Sequence, residues 1–135
     1  MILAMILFFI NTKPIYTSYE VNYEVNIEVE NKWSEFKSEF IPSQTEILSV
    51  QWYGNELIVD VSRDIISYGG GNAMEYAVVG ELLEMAFSIP EVESFTLLIE
   101  GEEDCLPEGT RISGYTRERY TQTILSHHKS SSYKE

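Results

Sequence analysis

The chain has few of the residues on which several common kinds of site depend. Cysteine occurs once in 135 residues, at Cys105, which excludes an intramolecular disulfide and a cysteine-based metal cluster. Basic residues are scarce as well: nine Lys and Arg against 22 Asp and Glu give a formal net charge of -13. Because nucleic-acid affinity depends on Lys and Arg displacing counterions, DNA and RNA are poor partners. The same charge disfavours anionic lipid surfaces.

A hydrophobic run long enough to span a membrane is also missing at the N-terminus. The run MILAMILFFI covers residues 1–10, whereas a spanning helix needs about 20 apolar residues. It has the length of a signal-peptide hydrophobic region, but no basic residue precedes it and no small-x-small cleavage site follows it. We interpret residues 1–14 as the remnant of an export signal or anchor, with a buried first strand as the alternative. Export predicts an extracytoplasmic protein, membrane-associated or secreted; a cytoplasmic location is the runner-up.

The composition does provide material for a core. Hydrophobic residues make up 44% of the chain and aromatic residues 13%, which is typical of one ordinary globular domain. We place this domain at residues 15–120. Residues 121–135 are rich in Ser, His and Lys, and we expect them to form a disordered polar tail.

The first half of the chain predicts three strands and a short helix. Apolar and polar residues alternate over residues 19–30, which predicts a half-buried strand. Apolar spacings of three and four over residues 31–40 predict a short amphipathic helix. Two strands follow, at residues 46–53 and 56–62, and the two-residue loop Gly54-Asn55 between them is typical of a hairpin.

The second half predicts a long helix after a glycine loop. In YGGGN, Asn72 has the character of an N-cap, and Glu75 that of its partner in a capping box. A wide apolar stripe follows, and Ile89-Pro90 ends the helix. Its members are Met74, Val78, Leu82, Met85 and Ala86, flanked by Val79, Leu83 and Phe87.

Two further strands are predicted near the C-terminal end of the domain. The segment SFTLLIE, residues 94–100, places Phe95, Leu97 and Ile99 on one face, and residues 110–116 form a last short strand. The order strand, helix, hairpin, helix, strand, short strand predicts an α+β sandwich. Both helices are expected on one face of a mostly antiparallel sheet.

Several short motifs occur in an order and spacing that resemble the GerMN domain of sporulation and spore-germination proteins. They are Ile41-Pro42 with Thr45, NELIVDVS, YGGG through Glu75, Ile99 with Gly101, and LPEG at residues 106–109. The resemblance covers about residues 36–120. It implies an α+β module similar to the ring-building motifs of spore-envelope complexes, in a protein that is usually exported or lipidated and acts through protein-protein contact. No lipidation cysteine stands near the start of this chain.

Two segments have residues that could form a ligand site, and each has a simpler interpretation. YGGGN at a helix start could cradle a phosphate, but it lacks the Walker lysine and the G-x-G-x-x-G spacing, so a conformational role is preferred. The acidic run at residues 100–104 could hold calcium, although its spacing is not that of an EF-hand and a solvated turn is the simpler interpretation.

The candidate catalytic residues also have simpler interpretations. The carboxylate pairs Asp60 with Asp64 and Glu81 with Glu84 are each expected on an exposed face or a helix flank. The histidines at positions 127 and 128 fall in the polar tail, where a supporting shell for a metal is not expected. No ordered element supplies a histidine to activate the hydroxyl or thiol nucleophiles, namely Ser62, Ser67 and Cys105.

These observations predict no catalytic residue, no metal site and no cofactor. We expect a non-enzymatic interaction or assembly module of the cell envelope, with Tyr68, Tyr76 and Tyr115 as contact anchors or, equally, as residues at the margin of the core. The partner would be an envelope protein, self-association included, and the membrane would be contacted only through the N-terminal segment. The alternative is a small cell-wall ligand-binding or hydrolytic domain using Asp60 or Glu100. A cytosolic protein of unknown role, with residues 1–10 in the sheet, is the third interpretation.

Overall fold

A computed structural model describes residues 18–37 and 39–132 of the chain, which contain three α-helices and a four-stranded sheet. The α+β class predicted from the sequence is therefore confirmed. The elements are α1 (Ser18–Phe36), β1 (Ile47–Tyr53), β2 (Glu56–Val61), a 3-10 turn (Arg63–Ile66), α2 (Gly71–Phe87), β3 (Ser94–Ile99), β4 (Tyr115–Thr116) and α3 (Arg117–Ser132).

The sheet is mixed, with the strands in the order β1-β2-β3-β4. The predicted hairpin is confirmed: β1 pairs antiparallel with β2, and Gly54 in the connecting turn has φ of 60°. The central pair, β2 with β3, is parallel over six residue pairs, so the prediction of a mostly antiparallel sheet was wrong. The reason is α2, which lies between these strands in sequence and returns the chain to the starting end of β2.

One core lies between the sheet and the helices α1 and α2. Alternate side chains of β2 and β3 point into it, as do the predicted apolar stripe of α2 and two residues of α1. The main contributors are Leu57, Val59, Val61, Phe95, Leu97, Ile99, Val78, Leu82, Met85, Ala86, Val29 and Trp33. Full burial of one such large apolar side chain contributes roughly 1.5–3 kcal/mol to stability.

The first element is a helix, not the strand predicted at residues 19–30. Its alternating valines and glutamates resemble a strand pattern, but Val29, Trp33 and Phe36 recur at spacings of four and three and face the core. Packing of this helical stripe outweighs the strand preference of the β-branched residues. The predicted short helix at residues 31–40 is the end of this one helix, which finishes at Phe36.

The C-terminal part also differs from prediction. The last strand has two residues instead of seven, because Ile112 turns inward and meets β3 through a single hydrogen bond, donated by Leu97 N at 2.9 Å. The tail predicted to be disordered from residue 121 is helical as far as Ser132. The Oγ1 of Thr116 accepts a hydrogen bond from Arg119 N at 3.2 Å, so a threonine N-cap that sequence analysis overlooked starts this helix.

The predicted export segment lies outside the described residues. Among the helices that the structure describes, none combines the length and the apolar character needed to cross a bilayer.

The second face of the sheet, here called the open face, carries the side chains that alternate with the core residues. Strand register arranges them in three rows: Tyr53, Glu56, Ser94 and Thr116; Gln51, Ile58 and Thr96; and Ser49, Asp60 and Leu98. Thr96 is buried, and its Oγ1 accepts a hydrogen bond from Gly114 N at 2.8 Å. The other residues of the open face are exposed or half-buried.

Candidate functional site

A buried carboxylate joins the glycine loop to the LPEG turn. Glu75 lies one turn inside α2 and is only 3% exposed. Its Oε1 accepts hydrogen bonds from the Tyr68 hydroxyl and Glu108 N, both at 2.8 Å. Its Oε2 accepts from Thr110 N at 3.2 Å and from Thr110 Oγ1 at 2.7 Å. We call these four residues the Glu75 clasp, because they tie together segments 33 to 42 positions apart in sequence.

The clasp replaces the capping box predicted from sequence, which was wrong. Helix α2 begins at Gly71, with Gly70 in the N-cap position and no side-chain cap. This start places Glu75 beyond the first turn, where it cannot reach back to the N-cap. Asn72 is exposed within the first turn of the helix.

Hydrogen bonding keeps the clasp carboxylate ionised. Burial acts to raise the pKa of Glu75, but the hydrogen bonds from Glu108, Thr110 and Tyr68 outweigh it and hold the pKa below its usual value. The phenol responds in the opposite sense: burial and the neighbouring Glu75 carboxylate raise the pKa of Tyr68 well above the ordinary tyrosine value. Tyr68 therefore stays a hydrogen-bond donor, and Glu75 an acceptor, at neutral pH.

Glycines allow both loops of the clasp to close. Gly70 and Gly71 have φ of 103° and 62°, in the left-handed region, and a Cβ on Gly70 would lie 3.0 Å from Cβ of Met74. Gly109 has φ of 97° and donates its N-H to Leu106 O at 2.8 Å. The positive φ angles explain why the loop is rich in glycine, the residue that adopts them most readily.

The three tyrosines predicted as contact anchors do not form one surface. Tyr68 is half-buried in the clasp, and Tyr76, the next residue after Glu75, is 79% exposed. Tyr115 lies near the other end of α2, with its ring centroid 6.3 Å from that of Phe87 and the Arg119 guanidinium 4.5 Å above its face. Since Tyr76 and Phe87 are eleven residues apart on one helix, about 16 Å separates the two ends.

A second buried carboxylate, Glu81, holds the chain after α1. It is 7% exposed and accepts a hydrogen bond from Phe40 N at 3.2 Å. Burial raises the pKa of Glu81 above its usual value, only partly offset by hydrogen bonds from the backbone of Phe40 and Ile41. The expectation that this residue is exposed was therefore wrong, whereas Glu84 is exposed.

The other candidate residues have local roles. Ser62 Oγ donates to Asp64 Oδ2 and accepts from Glu46 N, both at 3.0 Å. Ser67 Oγ donates to Asp64 O at 2.7 Å, and Asp60 Oδ1 accepts from Gly101 N at 2.9 Å.

The acidic run at residues 100–104 is partly neutralised and dispersed. Arg63 forms ion pairs with Glu100 at 3.4 Å and with Asp104 at 3.7 Å, while Glu103 accepts from Ser113 Oγ at 3.3 Å. Within residues 18–37 and 39–132, no group of three or more His, Cys, Asp or Glu side chains is arranged to hold a metal ion. The histidines at positions 127 and 128 lie on the exposed part of α3, and Cys105 is exposed.

Arg117, which was not predicted as a functional residue, closes the C-terminal end of α2. Its guanidinium donates to Phe87 O at 3.1 Å, Ile89 O at 2.8 Å and Val92 O at 2.9 Å. Carbonyls at a helix end lack intrahelical partners and carry partial negative charge, so a cation is favoured there.

A signal for the buried carboxylates was present in the sequence. Glu75 and Glu81 both lie on the apolar stripe of α2, three residues from Val78 on either side. A charged residue within such a stripe must be paired when the stripe is buried.

The family model described as Germane, sporulation and spore germination, matches residues 29–105, which is more than half of the chain. The matched stretch runs from the buried end of α1 through the acidic run and stops just before the LPEG turn. No curated protein and no solved structure matches the chain.

Proposed function

The chain belongs to the Germane family of sporulation and spore germination proteins, and we propose that it serves that process as a non-enzymatic, extracytoplasmic module that binds another protein of the cell envelope. The family supports a role in sporulation or germination.

The observation that carries the proposal is the use of both buried carboxylates of α2 as structural ties. A catalytic carboxylate has to face a substrate, whereas Glu75 is occupied by four donors from the protein itself. Glu81 is likewise directed at backbone N-H groups. These contacts support an architectural role for the residues that a hydrolase would need to keep available.

The clasp also fixes the position of the helix turn that carries Tyr76. This side chain is 79% exposed on α2, directly after a residue that is held by four hydrogen bonds. An exposed tyrosine on a rigid helix presents a large amphipathic surface at low entropic cost, and tyrosine is enriched in binding hot spots. The proposed contact surface is therefore Tyr76 with the adjoining glycine loop. Tyr68 donates its hydroxyl to Glu75 of the clasp, and Tyr115 belongs to the opposite end of α2.

Site-directed photo-crosslinking in a spore-forming host tests this function. A photoreactive residue is placed at position 76 of the full chain, and at Gln122, exposed on α3, in a matched control. We expect a crosslinked adduct from position 76 in the envelope fraction during sporulation or germination, and none from position 122. Equal crosslinking from both positions, or recovery of the chain in the cytosol at every stage, would contradict the proposal. Release of cell-wall fragments that Asp60→Asn or Glu100→Gln abolishes would support the hydrolytic alternative.

A further inference from the structure

The open face of the sheet has unmatched apolar groups at its centre. Ile58 and Leu98 are half-buried and, among the described residues, neither belongs to the core cluster or packs against it. They lie on β2 and β3, which form the parallel pair of the sheet. All-parallel sheets are covered on both faces, because crossover helices pack there, whereas antiparallel sheets often leave one face to solvent. The feature of this face that a partner could cover is therefore its apolar centre, formed by Ile58 and Leu98.

Two carboxylates flank Ile58 along the same strand. Glu56 Oε2 accepts from the Ser94 hydroxyl at 3.4 Å, and Asp60 Oδ1 accepts from Gly101 N at 2.9 Å, so both donors are neutral. Arg63 forms its ion pairs with Glu100 and Asp104 of the acidic run, and not with Glu56 or Asp60. The negative charge at both ends of Ile58 is therefore not compensated by an ion pair there.

The negative charge of the open face favours some classes of binding partner over others. A second copy would place Glu56 and Asp60 against like charges and would bring two chains of net charge -13 together. Nucleic acid and anionic lipid are repelled in the same way. A cationic protein segment has the complementary charge. Since the core face is covered by helices, a helix laid on the open face would complete a three-layer arrangement.

From these observations we propose that the open face binds an amphipathic helix of a partner protein, whose apolar stripe covers Ile58 and Leu98 and whose lysines or arginines pair with Glu56 and Asp60. The two acidic residues are four positions apart on β2, which is about 13 Å. Basic residues seven positions apart on a helix lie on one face and about 10.5 Å apart, and their flexible stems span the difference. The inference rests on the proposed function in requiring a protein partner, but it concerns a different surface from that of Tyr76.

The experiment uses the full chain and two synthetic 18-residue helical peptides of identical composition. In the patterned peptide, leucines form one stripe and two lysines seven residues apart flank it; in the scrambled peptide, the lysines lie on the opposite face. Dissociation constants are measured by calorimetry for the wild type, for Glu56→Gln with Asp60→Asn, and for Glu91→Gln with Glu118→Gln. Each double variant replaces two carboxylates with amides and so removes the same negative charge. Glu91 and Glu118 are exposed and lie outside the open face, so the second variant is the control. Both amide substitutions on β2 keep an oxygen acceptor, which preserves the folded state.

We expect the patterned peptide to bind at least about tenfold more weakly to the Glu56 and Asp60 variant, and to change by less than about twofold with the control variant. Equal weakening by both variants, or no preference for the patterned peptide, would overturn the proposal. A concentration-dependent dimer that Ile58→Lys abolishes would assign the face to a second copy instead. None of these outcomes affects crosslinking from position 76, so the two proposals fail independently.

Discussion

Replacing Glu75 with glutamine tests the role of the clasp with the smallest change in shape. An amide keeps one oxygen acceptor but puts an NH2 group where the second carboxylate oxygen accepted two hydrogen bonds. The hydroxyls of Tyr68 and Thr110 can rotate to accept from this group, whereas the N-H of Glu108 or of Thr110 cannot. At least one buried backbone donor then loses its acceptor, at about 1–3 kcal/mol, and the remaining bonds lose their charge assistance. We expect Glu75→Gln to destabilise the fold by about 2–4 kcal/mol, a large part of the ~5–15 kcal/mol typical of a domain.

Glu81→Gln provides a matched control in the same helix. Burial holds the pKa of Glu81 above its usual value, so the folded state disfavours the charged form at neutral pH. The amide removes that charge and retains one oxygen acceptor for the N-H groups of Phe40 and Ile41. We therefore expect a change within about 1 kcal/mol at pH 7, of either sign. Urea unfolding followed by fluorescence of the two tryptophans, Trp33 and Trp52, measures both variants.

The two residues also predict opposite responses to pH. The pKa of Glu75 is lower in the folded state, so its contribution is present above the unfolded carboxyl pKa of about 4.3 and is lost as pH falls through the folded value. The pKa of Glu81 is raised, so its contribution is present below the unfolded pKa and is lost as pH rises through the folded value. The stability of Glu75→Gln should therefore fall less on acidification than that of the wild type. Unfolding free energies equal within about 0.5 kcal/mol for wild type and Glu75→Gln would refute the reasoning.

Five further substitutions test the glycine loop, the end of α2 and the exposed tyrosine. Gly70→Ala should cost about 1–3 kcal/mol, because its φ is positive and the new Cβ would meet Met74, while Gly69→Ala, with open space around it, should be neutral or slightly stabilising in the same unfolding assay. Arg117→Met should lower the unfolding free energy by about 2–4 kcal/mol through loss of three carbonyl contacts, and Arg117→Lys should recover only part; full recovery would show that charge alone matters. Tyr76→Ala should change stability by less than about 0.5 kcal/mol yet weaken partner binding about 30-fold, and unchanged binding would exclude it as an anchor.

Local patterns predicted the centre of the fold well. The hairpin follows from two alternating segments around Gly54-Asn55, and α2 follows from an apolar stripe bounded by glycines and by Pro90. Both are decided by residues close together in sequence. The direction of β3 depends instead on the long connection from β2, and the order strand, helix, strand contained that information.

The sequence-based predictions were wrong or incomplete where contacts with residues distant in sequence decide the local structure. The segment before Trp33 has a strand-like alternation, and its helical form depends on the core that other elements provide. The YGGG and LPEG motifs are both visible in the sequence. No residue near either motif indicates that Glu75 connects them through hydrogen bonds. The exposure of Tyr76 and the separation of Tyr115 likewise depend on how α2 lies on the sheet.

The position of the clasp partners has a consequence for how the domain is delimited. The family match stops at Cys105, but Glu108, Thr110 and Arg117 all lie beyond it. A fragment cut at the end of the matched stretch would retain the carboxylate of Glu75 without most of its donors, and the end of α2 without its cation. The stretch that the family model matches is thus shorter than the stretch that supplies the clasp and the contacts at the end of α2. A fragment that keeps all of these contacts extends through Tyr120, whose ring stacks on Phe87 at 4.9 Å.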